Sequence, residues 1–162
     1  MKKVIYYFSG TGNSLAVARD IAQNIGASLV PVISLLGEKS ISVSGDTIGI
    51  VFPLQDFKAP PPVADFVSRL SDLNGKYIFA VCTYGLKPAH SLARLDKLLQ
   101  SHGGRLACGF AVKMPHNGIA SGRFSGSAVF RDISAWKKRV PSVCDVINRH
   151  EKKALESSPP IF

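Results

Sequence analysis

The sequence predicts an α/β domain built on a doubly wound, five-stranded parallel sheet. Three observations carry that expectation. Short apolar runs alternate with amphipathic segments of helical period, the pattern of successive βαβ units. The 162 residues are 46% hydrophobic, enough for one buried sheet and one core, so residues 1–162 read as a single domain. The first apolar run passes through a turn of small residues straight into a helix.

The elements follow in order. The first strand covers about 3–8, where Val4-Ile5-Tyr6-Tyr7-Phe8 is apolar. Residues 9–14 turn the chain into a helix over about 13–24, and Gly26 stands where a C-terminal cap is expected. The second strand spans about 28–33. Residues 35–46 are too broken for a good helix, so this crossover is a loop or a short extra strand. The third strand is 47–52, and Pro53 is expected to stop it. After Pro60-Pro61-Pro62 a helix runs from about 62 to 70, with Val63, Phe66, Val67 and Leu70 on one face. Residues 77–82 form the fourth strand. The next helix, about 89–101, turns Leu92, Leu95, Leu98 and Leu99 inward and ends at Gly103-Gly104. The fifth strand is 105–112. Residues 113–130, rich in Gly and Ser, read as a long loop. A last helical period over 132–156 rests on Ile133, Trp136, Val140, Val143 and Ile147, with Pro141 kinking it or opening a second helix.

Composition excludes several classes. No run of 18 apolar residues exists, so no transmembrane span is expected. Met1-Lys2-Lys3 is basic, but a cleaved leader would remove the first strand, so none is expected. Cys82, Cys108 and Cys144 are odd in number and far apart, which reads as reduced core thiols of a cytoplasmic protein. No C-x-x-C is present, which argues against a zinc or iron–sulfur site. The formal net charge of +9 favours encounters with acidic partners. Nucleic acid would meet the same charge but is disfavoured, because the basic runs 137–139 and 149–153 read as solvated helix faces.

The chemistry concentrates in Ser9, Gly10, Thr11, Gly12, Asn13 and Ser14. Glycines permit positive φ and close backbone approach, and a helix N-terminus adds amides with no intrahelical partner. Such a strand–turn–helix junction holds a phosphate. A nucleotide-triphosphate loop needs a Lys after its second Gly, and none follows Gly12. A dinucleotide fingerprint needs a third Gly where Leu15 stands, and an acid that residues 31–34 lack.

Tyr7-Phe8-Ser9-Gly10-Thr11-Gly12-Asn13-Ser14 resembles the phosphate loop of flavodoxins, above all the flavodoxin part of flavodoxin–ferredoxin fusion proteins. The likeness covers most of the chain and is strongest over 4–22, 48–70 and 77–90. It implies the flavodoxin-like strand order 2-1-3-4-5, FMN as cofactor, and a ligand at the carboxyl ends of the strands near the switch point; flavodoxin is itself a type example of that rule. It also implies that two further loops flank the flavin ring. One contributes Pro53, Leu54, Gln55, Asp56 and Phe57; the other contributes Thr83, Tyr84, Gly85 and Leu86. Tyr84 and then Phe57 are the expected stacking aromatics, and Gly85 allows close approach to the ring's polar edge. Met114-Pro115-His116-Asn117-Gly118 resembles a Met-Pro-x-Asn-Tyr turn of the fusion proteins, with Gly118 in place of the Tyr.

No catalytic side chain is expected. Asp56 reads as a turn residue, His90 as a helix N-terminal surface group, and Cys82 has no evident base. The expected function is electron transfer between redox partners, an acidic ferredoxin or iron–sulfur domain among them. Two other readings stay open: an FMN-dependent NAD(P)H:quinone or azo-type reductase, and a non-redox binding module using the basic surface.

Overall fold

The structure, a computed structural model, describes residues 2–115 and 126–158. Five strands, β1 (Lys3–Tyr7), β2 (Ser28–Pro31), β4 (Thr47–Pro53), β6 (Tyr77–Tyr84) and β7 (Leu106–Lys113), make one parallel sheet in the order β2-β1-β4-β6-β7. Counting the strands of this sheet alone, that is 2-1-3-4-5. Two further strands, β3 (Ile41–Ser42) and β5 (Leu70–Ser71), pair parallel as a small separate ribbon.

Helices cover both faces. Helices α1 (Asn13–Ile25) and α4 (Gly126–Asn148) pack on one, where Ile5, Val51, Phe79, Val81 and Trp136 are buried together. Helices α2 (Pro61–Ser68) and α3 (Ser91–Gln100) pack on the other, over Ile48, Ile50, Phe52, Ala80 and Cys82. The central strand β4 is buried from Thr47 through Phe52, which explains its unbroken apolar run. Helix α1 ends as expected at Gly26, whose φ of 74° lets its N–H reach the Ala22 carbonyl at 2.9 Å.

Several boundaries differ from the sequence expectation. Pro53 does not stop its strand: it remains in register with Thr83, and the next amide, Leu54, supplies a hydrogen bond to the Thr83 carbonyl at 2.9 Å. The second strand ends at Pro31 because Val32–Leu35 winds into a 3-10 turn that buries Val32. Within 35–46 the open alternative resolves to the short strand β3.

The last helix starts at Gly126, passes through Pro141 without dividing, and ends at Asn148 rather than near 156. Pro141 is exposed, so its missing donor falls on the solvent side of the helix. The helix stops because His150 adopts φ 53° and the Glu151 amide bonds back to Val146 at 3.1 Å, a left-handed termination. Tertiary contacts hold His150 there: its ring stacks on Tyr77 at 4.4 Å and shares a hydrogen bond with Thr47 at 2.9 Å. His116, Asn117 and Gly118, with most of the expected long loop, lie outside the described residues.

Cys82, Cys108 and Cys144 are buried and free. Burial pushes the Cys82 and Cys144 thiols up to about 11, so they stay protonated and unreactive near neutral pH. Among the described residues no helix is long and apolar enough to cross a membrane, and no three or more His, Cys, Asp or Glu side chains gather to hold a metal ion.

Candidate functional site

A cavity of about 270 Å³ opens at the carboxyl edge of the sheet, where the loops after β1, β4 and β6 converge. That is where the strand order reverses and where doubly wound sheets place their ligands.

The loop after β1 supplies the polar end. Gly12 sits at φ 98°, a left-handed value that L side chains rarely adopt, and it delivers the chain into α1. Its N–H donates to Ser9 Oγ at 3.1 Å, which ties the turn together. The Ala16 N–H bonds to the Gly12 carbonyl at 2.9 Å and starts the helix. Helix α1 has neither a side-chain cap nor an acidic residue in its first turn. Its leading amides and positive dipole end are therefore suited to an external anion. Thr11 and Asn13 reach the cavity wall.

The loop after β4 supplies an apolar ledge and a tight turn. Gln55 and Lys58 exchange backbone hydrogen bonds at 2.8 and 3.1 Å. Between them Asp56 and Phe57 both take positive φ, 50° and 63°. Two consecutive left-handed residues make a type I′ turn, a conformation Asp tolerates and Phe adopts at a cost. The geometry holds the Phe57 ring 43% exposed at the cavity rim.

The loop after β6 closes the opposite side. Tyr84 is half-buried, and burial raises its phenol above the usual range. Its carbonyl accepts from the Met114 amide at 3.0 Å, which draws the end of β7 into the wall. Leu86 is 75% exposed at the mouth. The Lys87 ammonium lies 5.2 Å from the Phe57 ring centre, a cation–π contact joining this loop to the previous one.

Of the residues singled out from sequence, Thr11, Asn13, Pro53, Leu54, Asp56, Phe57, Thr83, Tyr84, Gly85 and Leu86 share this cavity. Ser9, Gly10 and Gly12 shape the adjoining turn without lining it. Gln55 serves the hairpin turn instead. Ser14 departs further from expectation: its buried hydroxyl shares a hydrogen bond with Thr83 at 2.9 Å and joins α1 to β6. The side chain of Asn13 donates to the Pro115 carbonyl at 2.9 Å, so it anchors the segment after β7. Lys87, on the loop expected to flank the ring, lines the wall, as do Met114 and Pro115, which sequence reasoning did not single out for it. The Met-Pro pair after the last sheet strand was the one available pointer to the latter two.

The residues present suit a phosphorylated, flat aromatic group. An uncapped, acid-free helix start offers amides to a dianion, and Leu54, Phe57, Tyr84 and Leu86 offer apolar surface a short distance away. Among the described residues the wall's charged side chains are Asp56 and Lys87.

No family model matches the sequence, and neither does any curated protein. Solved structures match by shape. A flavodoxin from the domain Archaea superposes with a TM-score of 0.59 at 15% identity, over 91% of this chain and 99% of that one. An FMN-dependent NADH-azoreductase from Bacillus anthracis, in complex with FMN, gives 0.60 at 10% identity over 91% and 100%. Two-electron reduced flavodoxin from Megasphaera elsdenii gives 0.52 at 21% identity over 68% and 84%. The fold is flavodoxin-like.

Proposed function

We propose that this chain binds FMN in the cavity at the carboxyl edge of the sheet and passes electrons between redox partners. One juxtaposition carries the reading: an acid-free helix start behind a left-handed Gly12, and an apolar slot between Leu54, Phe57 and Tyr84, open into the same cavity. When bound, FMN supplies one- and two-electron redox chemistry. The protein's part is to bind, orient and shield it. The amides of residues 11–14 hold the phosphate, the hydroxyl pair of Ser14 and Thr83 keeps that loop against β6, and Tyr84 and Leu54 exclude water from the ring. The wall carries one carboxylate, at a turn tip, and no histidine among the described residues, so no side chain is assigned a proton-transfer role.

Titrating the purified protein with FMN and with riboflavin tests this. The expected result is saturable 1:1 binding of FMN that weakens at least tenfold without the phosphate, since charge-assisted hydrogen bonds contribute roughly 1.5–3 kcal/mol each. Failure to bind either compound would remove the reading. The azoreductase's similar fold supports a second one, an FMN-dependent NAD(P)H reductase. Rapid bleaching of the bound flavin by NADH alone would establish it in place of the carrier.

The partner proposed is acidic, an iron–sulfur protein of the ferredoxin kind. Lys58, Lys87 and Lys113 stand exposed on the loops and strand end around the cavity, against Asp56, on a chain of net charge +9. Steering of this type collapses as salt shortens the Debye length from about 30 Å at 0.01 M to about 10 Å at 0.1 M. Stopped-flow transfer to an acidic ferredoxin should therefore slow by at least tenfold over that range; a flat salt profile would dismiss the acidic partner.

A further inference from the structure

The last described residues, 151–158, run as an extended strap along the outer edge of the sheet. Tyr77 Oη donates to the Glu151 carbonyl at 2.7 Å. The Lys153 amide donates to Ala107 at 2.8 Å and the Glu156 amide to Gly109 at 3.1 Å, so the strap follows β7 in the parallel sense and covers that edge. The Glu156 carboxylate accepts from the Ala111 amide at 2.8 Å and pairs with Arg139, whose guanidinium also reaches the Ala111 carbonyl at 2.9 Å. Leu155 seats against Gly109: a Cβ at that glycine would lie 3.1 Å from the Leu155 methyl.

The strap ends on the third loop of the cavity. The Ser158 amide donates to the Ala89 carbonyl at 3.1 Å, and the Ala89 amide donates back to Ser158 Oγ at 2.9 Å. Ala89 holds φ at 51°, a left-handed value alanine seldom occupies. It closes the loop that carries Tyr84, Gly85, Leu86 and Lys87 into the cavity wall, and it immediately precedes the cap of α3. On the inner side Ser91 Oγ donates to the Pro88 carbonyl at 3.0 Å. The turn at 88–89 is thus held from the helix by Ser91 and from the far end of the chain by Ser158.

We propose that Ser158 is a positioning residue for the cavity: by fixing Ala89 in its left-handed turn, the strap sets where the loop bearing Tyr84 and Lys87 stands. Glu156, paired with Arg139, anchors the strap two residues before Ser158, so Ser158 acts at its tip and not through its general attachment.

Ser158→Ala removes the hydroxyl acceptor, Ser158→Pro removes the hydroxyl and the amide donor, and Ser157→Ala is the exposed neighbour as control. Amide hydrogen exchange at Ala89 is expected to quicken several-fold in Ser158→Ala and about tenfold or more in Ser158→Pro and stay unchanged in the control, since each lost bond shifts an opening equilibrium several-fold. The FMN dissociation constant, whose use rests on the flavin reading above, is expected to rise by a few-fold in Ser158→Ala and about tenfold in Ser158→Pro, with melting temperature held. Unchanged Ala89 exchange in Ser158→Ala would overturn the proposal. So would faster exchange with wild-type FMN affinity, or an affinity loss that only tracks a fall in melting temperature. If Ser158→Pro does not fold, Ser158→Ala decides. If the wild type binds no FMN, the flavin reading fails, and Ala89 exchange still decides whether the strap holds the loop.

Discussion

Gly12→Val is expected to weaken FMN binding by about a hundredfold while leaving riboflavin affinity within a few-fold of wild type. Gly12 sits at φ 98°, and no atom lies within 4 Å of where a Cβ would stand. The cost is in the backbone. An L residue forced left-handed loses about 1–2 kcal/mol, and a β-branched one is a harsher case. Valine would pull this residue toward an extended conformation and turn the amides of residues 11–14 away from a common point. Losing one charge-assisted bond adds roughly 1.5–3 kcal/mol, so the two costs together come to about 2.5–5 kcal/mol, whose lower end is the hundredfold expected. Riboflavin has no phosphate to lose, so paired isothermal titrations read the effect directly. Equal losses for both compounds would mean that the turn does not hold the phosphate.

Gly49→Ala is expected to destabilise the fold by about 3 kcal/mol, at the upper end of ordinary overpacking. Gly49 lies in the middle of β4, opposite Ile5 on one side and Phe79 on the other. A Cβ there would come within 2.4 Å of Phe79 Cζ and 2.8 and 2.9 Å of two further ring atoms. Phe79 is fully buried between the sheet and the α1/α4 layer, so the ring has little room to move. Urea denaturation would measure the loss. Phe79→Leu in the same chain should recover part of it, because the shorter side chain vacates the contested volume. An unfavourable or absent coupling in that double-mutant cycle would show that the Gly49–Phe79 contact is not the cause.

Much of the fold is legible in the sequence because its determinants are local. The apolar run 48–52 is continuous because both faces of β4 are covered, and Gly26 ends α1 because only a left-handed residue closes that turn easily. The turn at residues 9–14 is legible for the same reason: its glycines, small polar residues and following helix are adjacent in the chain. The termination of α4 is not local. Nothing in 148–151 resembles a glycine cap, and His150 takes the left-handed position because Thr47 and Tyr77, over 70 residues away, receive its ring.

The cavity divides in the same way. Sequence alone determined the strand order class and the three loops that meet at the carboxyl edge, the first of them a glycine-rich turn into a helix. Only the tertiary structure decided what each side chain does there. Ser14 faces Thr83 across 69 residues of sequence, Asn13 holds Pro115 across 102, and Ser158 closes on Ala89 across 69. Backbone turns and helix starts follow from neighbouring residues, whereas the partner of a hydroxyl or an amide side chain is set by which distant strand the packed sheet brings beside it.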